Sequence, residues 1–500
     1  MVTKYRLSTL GCKVNQYESQ QIRELLESLG LRQASPRQSA DIAIVNTCAV
    51  TTTALAKSRR AVRRLTNDGR TPVVVVGCGV SARDESLCSI RGVLDTVSHD
   101  ADMLAGLRSL IAQWMERTRL NRADNLEHTT GAQSECPRAY RYEVNMSAIE
   151  PAPAKPPNTE QPVNALTSII TPGSPAVKKE PLLTGQIRHF TDHERAFLKV
   201  QDGCDAHCTY CIIPRLRPLL RSKPREIAVS EAQDLVRSGH REIVVTGIFL
   251  GAYGRDTAAR GRLDADDSPL AELVEDLAKI PGLERIRLSS LEPGDVDDAL
   301  LTVLDEHHCC VPHLHLPLQS GSPDVLRRMN RQYTRDQYLR MIDRVRSRLD
   351  EPAITTDLIV GFPKETESDF KASLETARFA QFSKIHVFPF SPRPGTAAAG
   401  WKRDFVPRDV VKERVNRIEQ LGRRLSFAFR KRLIGRIERV IIEGDSPTES
   451  APSRRHGRTD RYFDLDFEGG DASTGQIVSV RIDRVTVTGT HGTRVSPDTD

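Results

Sequence analysis

The chain has 500 residues, of which 38% are hydrophobic and 28% charged, and its formal net charge is +6. That length suits about three domains. No run approaches the roughly 18 consecutive apolar residues of a membrane-spanning helix, which excludes an integral membrane protein of that kind. Met1–Leu10 lacks the basic flank and long apolar run of a secretory signal. Ten cysteines in such a length are too sparse for a disulfide scaffold. The expected setting is therefore a reducing cytoplasm, where closely spaced cysteines point to metal or catalysis rather than to bridges.

In chain order, the first stretch alternates strand and helix. Apolar runs at Tyr5–Leu10, Asp41–Val45 and Pro72–Val76 predict strands, and the patterns at Gln16–Leu29 and Thr51–Leu65 predict helices between them. Strands separated by helices imply a parallel sheet covered on its faces, an α/β arrangement. Pro151–Gly185 carries eight prolines in 35 residues with few spaced apolar positions, and it reads as a disordered linker. Six further strands are expected at Phe197–Gln201, Glu242–Gly247, Arg285–Ser290, His313–Gln319, Ile354–Gly361 and Lys384–Phe390. Helical segments such as Ile227–Arg237, Leu270–Ile280 and Arg335–Arg348 separate them. Six strand–helix repeats fit a partial (β/α) barrel, with its chemistry at the carboxyl ends of the strands. Lys402–Arg432 reads as a helix with 11 basic and 4 acidic residues. Short alternating runs at Val440–Glu443, Tyr462–Phe467 and Ile477–Val487 then predict a small antiparallel β domain. The expected boundaries are 1–122, 123–188 for the Pro-rich insert, 189–425 for the barrel and 426–492 for the β domain, with frayed residues at Ser496–Asp500.

The strongest local signal is Cys204-Asp-Ala-His-Cys208-Thr-Tyr-Cys211, directly after an expected strand. Three thiolates at this spacing can hold three irons of a four-iron, four-sulfur cube and leave the fourth iron open. The amino and carboxylate groups of S-adenosylmethionine can chelate an open iron, and one electron then breaks a carbon–sulfur bond to give a 5′-deoxyadenosyl radical. The competing readings are a zinc knuckle, which usually wants a fourth Cys or His, and three unrelated buried thiols. A second set, Cys12, Cys48 and Cys78, is spaced 36 and 30 residues apart, and each member stands just past an expected strand. The carboxyl ends of parallel strands share one edge, so one βα repeat between cysteines gathers all three thiols. Gly11 and Gly77 precede two of them and would let the backbone approach a cluster. Small buried cysteines at strand ends are the alternative. Cys88, Cys136, Cys309 and Cys310 lack either pattern, and His307-His-Cys-Cys310 reads as a packed strand entrance.

The Cys204 triplet, with Tyr210 before its last cysteine, resembles the radical-SAM superfamily. Together with Thr9-Leu-Gly-Cys-Lys-Val-Asn-Gln-Tyr-Glu-Ser19 it resembles the methylthiotransferases, two-cluster enzymes that exchange C–H for C–SCH3, and most of all their threonylcarbamoyladenosine branch. Ile286–Pro293, His313–Ser322, Met329–Arg331, Ala353–Gly361 and Phe382–Pro389 carry the same resemblance. It leaves the Pro-rich insert unmatched, and it likens the last segment to a TRAM domain, an RNA-binding β-barrel. Three positions depart from the family pattern: Pro218 where Gly follows Arg, Phe249 in place of Asn, and Lys364 in place of Gly.

The resemblance implies methylthiolation of C2 of N6-threonylcarbamoyladenosine at position 37 of tRNA, beside the anticodon. It implies two iron–sulfur cubes, one on Cys204, Cys208 and Cys211 and one on Cys12, Cys48 and Cys78, with S-adenosylmethionine as cofactor. Thr246, Gly247, Ser289, Ser290, Glu292, Gln319 and Ser320 at strand ends, and Thr356 and Asp357 within the fifth barrel strand, are candidate cofactor contacts. Arg423, Arg424, Arg430, Lys431, Arg432 and Arg458 are candidate phosphate contacts, with Arg436, Arg454 and Arg455 nearby. A monomer served by a flavodoxin or ferredoxin and without a membrane partner is expected. The alternatives within the class are isopentenyl-adenosine in tRNA or a ribosomal-protein aspartate as substrate. Outside it stands a non-catalytic iron–sulfur RNA-binding redox sensor.

Overall fold

The computed structural model describes residues 3–67, 69, 71–99, 102–127, 186–255, 257–258, 267–445, 454–470 and 472–495. The chain forms two compact units, residues 1–110 with 181–500 and residues 111–180. The linker reading of the insert and Cys136 fall almost wholly outside the described residues, as does the fraying expected at Ser496–Asp500. Among the described residues no helix is long and apolar enough to cross a membrane.

The first unit opens with β1 (Lys4–Thr9), α1 (Lys13–Ser28), β2 (Arg32–Gln33), β3 (Ile42–Thr47), α2 (Thr52–Thr66), β4 (Val73–Gly77), α3 (Cys78–Ser81), α4 (Glu85–Cys88) and β5 (Val93–Val97). These strands form one parallel sheet in the order β2-β1-β3-β4-β5. β3 and β4 are buried along their whole length, which is why they read as unbroken apolar runs. Helix α5 (Met103–Glu127) follows.

Next come β6 (Arg195–Asp202), α6 (Ile213–Leu216), β7 (Arg221–Ser222), α7 (Arg225–Arg237), β8 (Glu242–Gly247), α8 (Pro269–Ala278), β9 (Arg285–Leu288) and α9 (Asp298–Glu306). They are followed by β10 (His313–His315), α10 (Pro323–Arg328), α11 (Arg335–Arg348), β11 (Ala353–Val360), α12 (Glu367–Ala380), β12 (Lys384–Pro389) and α13 (Arg408–Arg432). The parallel strands run β6-β8-β9 and β10-β11-β12. The bridges Ile286–Cys310 and Ser290–His315 join the two sheets, giving the expected six-stranded partial barrel. Apolar residues on the outward faces, such as Leu198, Ile243, Val245, Ile286 and Leu314, pack on the helices. The inward faces are polar and carry Lys199, Glu242, Arg287, His313, Thr355 and Asp357, placing the barrel interior ready for polar chemistry. Helix α1 lies along β6, so the N-terminal sheet and the barrel share one body.

The end of the chain is a closed five-stranded barrel: β13 (Ile437–Asp445), β14 (Arg454–Thr459), β15 (Asp464–Glu468), β16 (Ile477–Val485) and β17 (Thr490–Arg494). It is not wholly antiparallel, because the β15–β17 pairing that closes it is parallel. The β14–β15 turn reaches under the six-stranded partial barrel. Tyr462 stacks on His313 with ring centroids 4.6 Å apart, and the Arg287 guanidinium lies 4.8 Å from the Tyr462 ring. Asp460 Oδ1 forms an ion pair with Arg285, 2.8 Å from its Nε, and Arg287 Nη1 donates to the Asp460 carbonyl at 2.9 Å. Arg287 also pairs with the buried Glu242 at 2.9 Å. Burial alone would raise the Glu242 carboxyl, but Arg285 and Arg287 override it and hold it at about 2.

Candidate active site

Each member of the first cysteine trio stands where its strand ends. Cys12 caps α1 just after β1, Cys48 follows β3, and Cys78 opens α3 after β4. Because β1, β3 and β4 are neighbours in one parallel sheet, the three lie on one edge. The approach is tight enough to demand glycine. Gly11 and Gly77 have φ of +117° and +94°, and a Cβ on Gly11 would stand 3.0 Å from the Cys48 Cβ. Asn15 ties the edge together, donating to the Leu10 and Thr47 carbonyls at 2.9 Å each. Burial pushes the Cys78 thiol up to about 12, and it lies in the field of both Cys12 and Cys48. Burial also raises Cys48, partly offset by the backbone N–H of Val50.

The second trio sits in the loop after β6. Burial pushes the Cys204 and Cys211 thiols up to about 12, and each is within the field of Cys208. Backbone N–H groups of Ala206 and Ile213 reach those two sulfurs. Arg331 Nη1 donates to Cys208 Sγ at 3.3 Å and to the Tyr210 hydroxyl at 3.3 Å, while Nη2 donates to Glu292 at 2.6 Å. Among the described residues no three His, Cys, Asp or Glu side chains are arranged to hold a metal ion. A cube makes a different demand: each thiolate binds its own iron, and the ligands ring a space rather than converge on a point. In the second trio every sulfur has an N–H donor, from Ala206, Arg331 and Ile213, and in the first trio Cys48 has that of Val50, an arrangement that fits this demand. Protonated thiols in such surroundings yield their protons on metal binding.

The candidate cofactor contacts divide. Thr246 and Gly247 close β8, where Phe249 N–H donates to Gln201 Oε1 at 2.7 Å. Ser289 Oγ is buried without a hydrogen-bond partner among the described residues, so that hydroxyl is left for a ligand. Ser290 is exposed beside it, and Glu292 is engaged by Arg331. Gln319, with φ of +61°, lies beyond β10 and bridges to Leu358, and Asp357 lies within β11, 3.4 Å from His315. Ser320 and Thr356 are used internally. Ser320 Oγ is 3.3 Å from Ser373 Oγ, and Thr356 Oγ1 joins Leu318 N at 2.9 Å to the Leu316 carbonyl at 2.7 Å. Both hydroxyls are engaged within the protein.

A buried ion network, invisible to motif reading, connects the two trios. Arg217, at the end of the second cysteine loop, binds Glu18 of α1 through both terminal nitrogens, at 2.8 and 2.9 Å. It also reaches Asp202 at 2.8 Å and His99 at 2.9 Å. Lys199 of β6 binds Glu18 at 2.8 Å and Asp202 at 2.9 Å. Burial would raise the Glu18 carboxyl, but Arg217, Lys199 and His99 outweigh it and hold it at about 2. Arg217 also acts on Cys78, lowering its thiol against the burial effect.

A second connection follows β12. Thr52, just past Cys48, bonds Ser391 through its N–H at 3.1 Å and its hydroxyl at 3.0 Å. Arg215, just past Cys211, donates to the Gly395 carbonyl at 2.9 Å. Ala398 N–H donates to the Thr209 carbonyl at 2.9 Å. Residues 391–398 therefore form a strap from one cysteine edge to the other.

The basic candidates also divide. Arg423, Arg424, Lys431 and Arg432 are exposed on α13, with Arg432 3.3 Å from Glu351. Arg430 is buried and donates to the Gly489, Thr486 and Val487 carbonyls and to Thr490 Oγ1, so it anchors α13 on the β-barrel instead of facing RNA. Arg458 is likewise engaged by Glu443, Asp464 and the Tyr462 ring. Of the three departures from the family pattern, Lys364 has an evident cost. Its φ of +62° is a left-handed backbone that suits glycine, and its N–H donates to the Asp404 carbonyl at 2.8 Å. Cys310 is buried in the barrel core, as the packed-entrance reading expects.

Residues 198–377 match the Radical SAM superfamily, and residues 4–98 match Uncharacterized protein family UPF0004. The fold is shared with a radical S-adenosylmethionine methyltransferase, TsrM, from Kitasatospora setae, at a TM-score of 0.51 and 13% identity over 91% of this chain and 81% of that one. A polar partial barrel with a three-cysteine loop at its mouth thus defines a radical-SAM enzyme. A threonylcarbamoyladenosine tRNA methylthiotransferase MtaB from Bacillus subtilis is 34% identical over 476 residues, covering 95% of this chain and 92% of that protein. A tRNA-2-methylthio-N(6)-dimethylallyladenosine synthase from Erythrobacter litoralis is 30% identical over 484 residues, 96% of this chain and 94% of that protein. The chain belongs to the methylthiotransferase family of radical-SAM enzymes.

Proposed function

We propose that this enzyme methylthiolates C2 of N6-threonylcarbamoyladenosine beside the anticodon of tRNA. The observation that carries the reading is end-to-end similarity to proteins of that named activity, at 34% identity against 30% for the dimethylallyladenosine synthases. Residues 1–122 carry the auxiliary cluster, 189–425 the radical chemistry and 426–492 the RNA contact.

Cys204, Cys208 and Cys211 hold one four-iron cube, and Cys12, Cys48 and Cys78 hold the other. When bound, these cubes and S-adenosylmethionine supply one-electron cleavage of a carbon–sulfur bond and a source of sulfur. The chain's own residues do the rest. Arg331 fixes the Cys208 sulfur and Tyr210. Ser289, with the backbone at Thr246 and Gly247, orients the cofactor at the ends of β8 and β9. The Glu18–Arg217 network and the strap at 391–398 set the distance between the cysteine edges. Exposed Arg423, Arg424, Lys431 and Arg432 take RNA phosphates. The enzyme acts as a cytoplasmic monomer fed by a flavodoxin- or ferredoxin-type donor.

Nucleoside mass spectrometry on tRNA from a deletion strain tests the substrate. Loss of the methylthio group from threonylcarbamoyladenosine alone supports the reading. Loss from the dimethylallyl nucleoside alone transfers the enzyme to the other branch.

A further inference from the structure

β12 presents its two faces to different surroundings. Ile385 and Val387 pack outward on the barrel core, with the position of a Cβ on Gly422 of α13 only 3.5 Å from the Ile385 Cβ. Lys384, His386 and Phe388 therefore face inward. The His386 ring lies 6.0 Å from that of His315 on β10, which places this face inside the barrel. Phe388 pairs with Ile359 at the carboxyl end of the strand and leaves 44% of its surface exposed.

That exposure has no packing explanation. Phe390, two residues on, interlocks edge to face with Phe362 and Phe405, at centroid distances of 5.4 and 5.6 Å. Phe388 takes no ring partner among the described residues. It stands at the rim where the strap begins, three residues before Ser391, which holds the Cys48 loop. Below it is a polar row: His315 Nδ1 is 2.9 Å from Thr355 Oγ1, His315 Nε2 is 3.4 Å from Asp357 Oδ2, and His386 makes no side-chain hydrogen bond among the described residues.

An open aromatic face above a polar row, on the barrel rim where the strap to the two cysteine loops begins, is suited to a flat heteroaromatic ring with polar edges. We infer that Phe388 is the stacking platform for the substrate purine after it leaves the RNA stack, with His386 and Asp357 facing its polar edge. An enzyme that acts on a base carbon must take the base out of its neighbours' stack, and an aromatic side chain restores the lost contact. The inference rests on the RNA-modification reading and adds to it a named subsite.

The test is a cycle between the side chain and the base, using the cluster-loaded enzyme. Two anticodon stem-loop RNAs are compared by fluorescence anisotropy, one intact and one abasic at the target purine. The wild type binds the intact RNA more tightly than the abasic one. Phe388→Ala weakens binding of the intact RNA by at least about five-fold and leaves the abasic RNA unchanged, while Phe388→Tyr retains the discrimination. Unaltered iron content and melting temperature of Phe388→Ala exclude misfolding. Equal effects on both RNAs, or no effect on either, overturn the subsite and leave the RNA-modification reading standing. If the wild type binds neither RNA, that reading itself fails, and the subsite with it.

Discussion

Glu18→Gln is the most informative single perturbation of the architecture. Glu18 is fully buried and accepts from Arg217 at 2.8 and 2.9 Å and from Lys199 at 2.8 Å. The amide keeps the shape and removes the charge, leaving two buried cations to share Asp202. Breaking a buried pair in this way costs about 3–5 kcal/mol. The carboxyl itself gives a second route to the magnitude. It is held at about 2 against an ordinary 4.5, and at about 1.4 kcal/mol per pH unit this is worth roughly 3 kcal/mol. The sign follows from a depressed carboxyl. The contribution is complete above about 4.5 and is lost as pH falls from there towards about 2. Urea unfolding of both forms at neutral pH should show the loss, and below pH 4.5 the two curves should converge. Because Cys12 caps α1, the variant should bind less iron at the first trio than at the second. A loss under about 1 kcal/mol, or curves that stay parallel through the acid range, would refute the reasoning.

Two further outcomes follow from the site. Arg331→Met removes a cation and a hydrogen bond from Cys208, so the reduction potential of the cube on that trio should fall. A hydrogen bond to a charged group is worth about 1.5–3 kcal/mol, which is roughly 60–120 mV for one electron. An EPR-monitored titration reads it, and an unchanged potential contradicts the role. Replacing Arg423, Arg424 and Lys431 together by Gln should weaken tRNA binding at low salt and flatten its logarithmic salt dependence by about two. Replacing Arg430 should instead lower the melting temperature, because its guanidinium is spent on four internal acceptors.

What was legible in the sequence was what repeats locally. β3, β4 and β8 carry runs of apolar residues, and the cysteines of both trios follow strands legible in this way or by alternation. β14, Arg454-Arg-His-Gly-Arg-Thr459, carried no apolar signal at all, since its pairing to β13 and β15 rather than its own side chains makes it a strand. The Glu18–Arg217 network was out of reach because its members lie 199 positions apart. Glu18 stood in the quoted opening motif and Arg331 in the Met329–Arg331 segment, but nothing local marks either as a partner of a cysteine loop. Arg430 misled for the same reason: in a basic run, charge alone does not tell an exposed side chain from one buried against carbonyls. The hydroxyls of Ser320 and Thr356 are engaged within the protein, and sequence position does not reveal which way a hydroxyl turns.

The central claim is that two trios of thiols each hold a four-iron cube. Iron and acid-labile sulfide should be measured on chain purified and reconstituted without oxygen, beside the triple variants Cys12→Ser/Cys48→Ser/Cys78→Ser and Cys204→Ser/Cys208→Ser/Cys211→Ser. The account predicts roughly eight irons per wild-type chain and roughly four in each variant. About four irons in the wild type, with one triple variant unchanged, would contradict it.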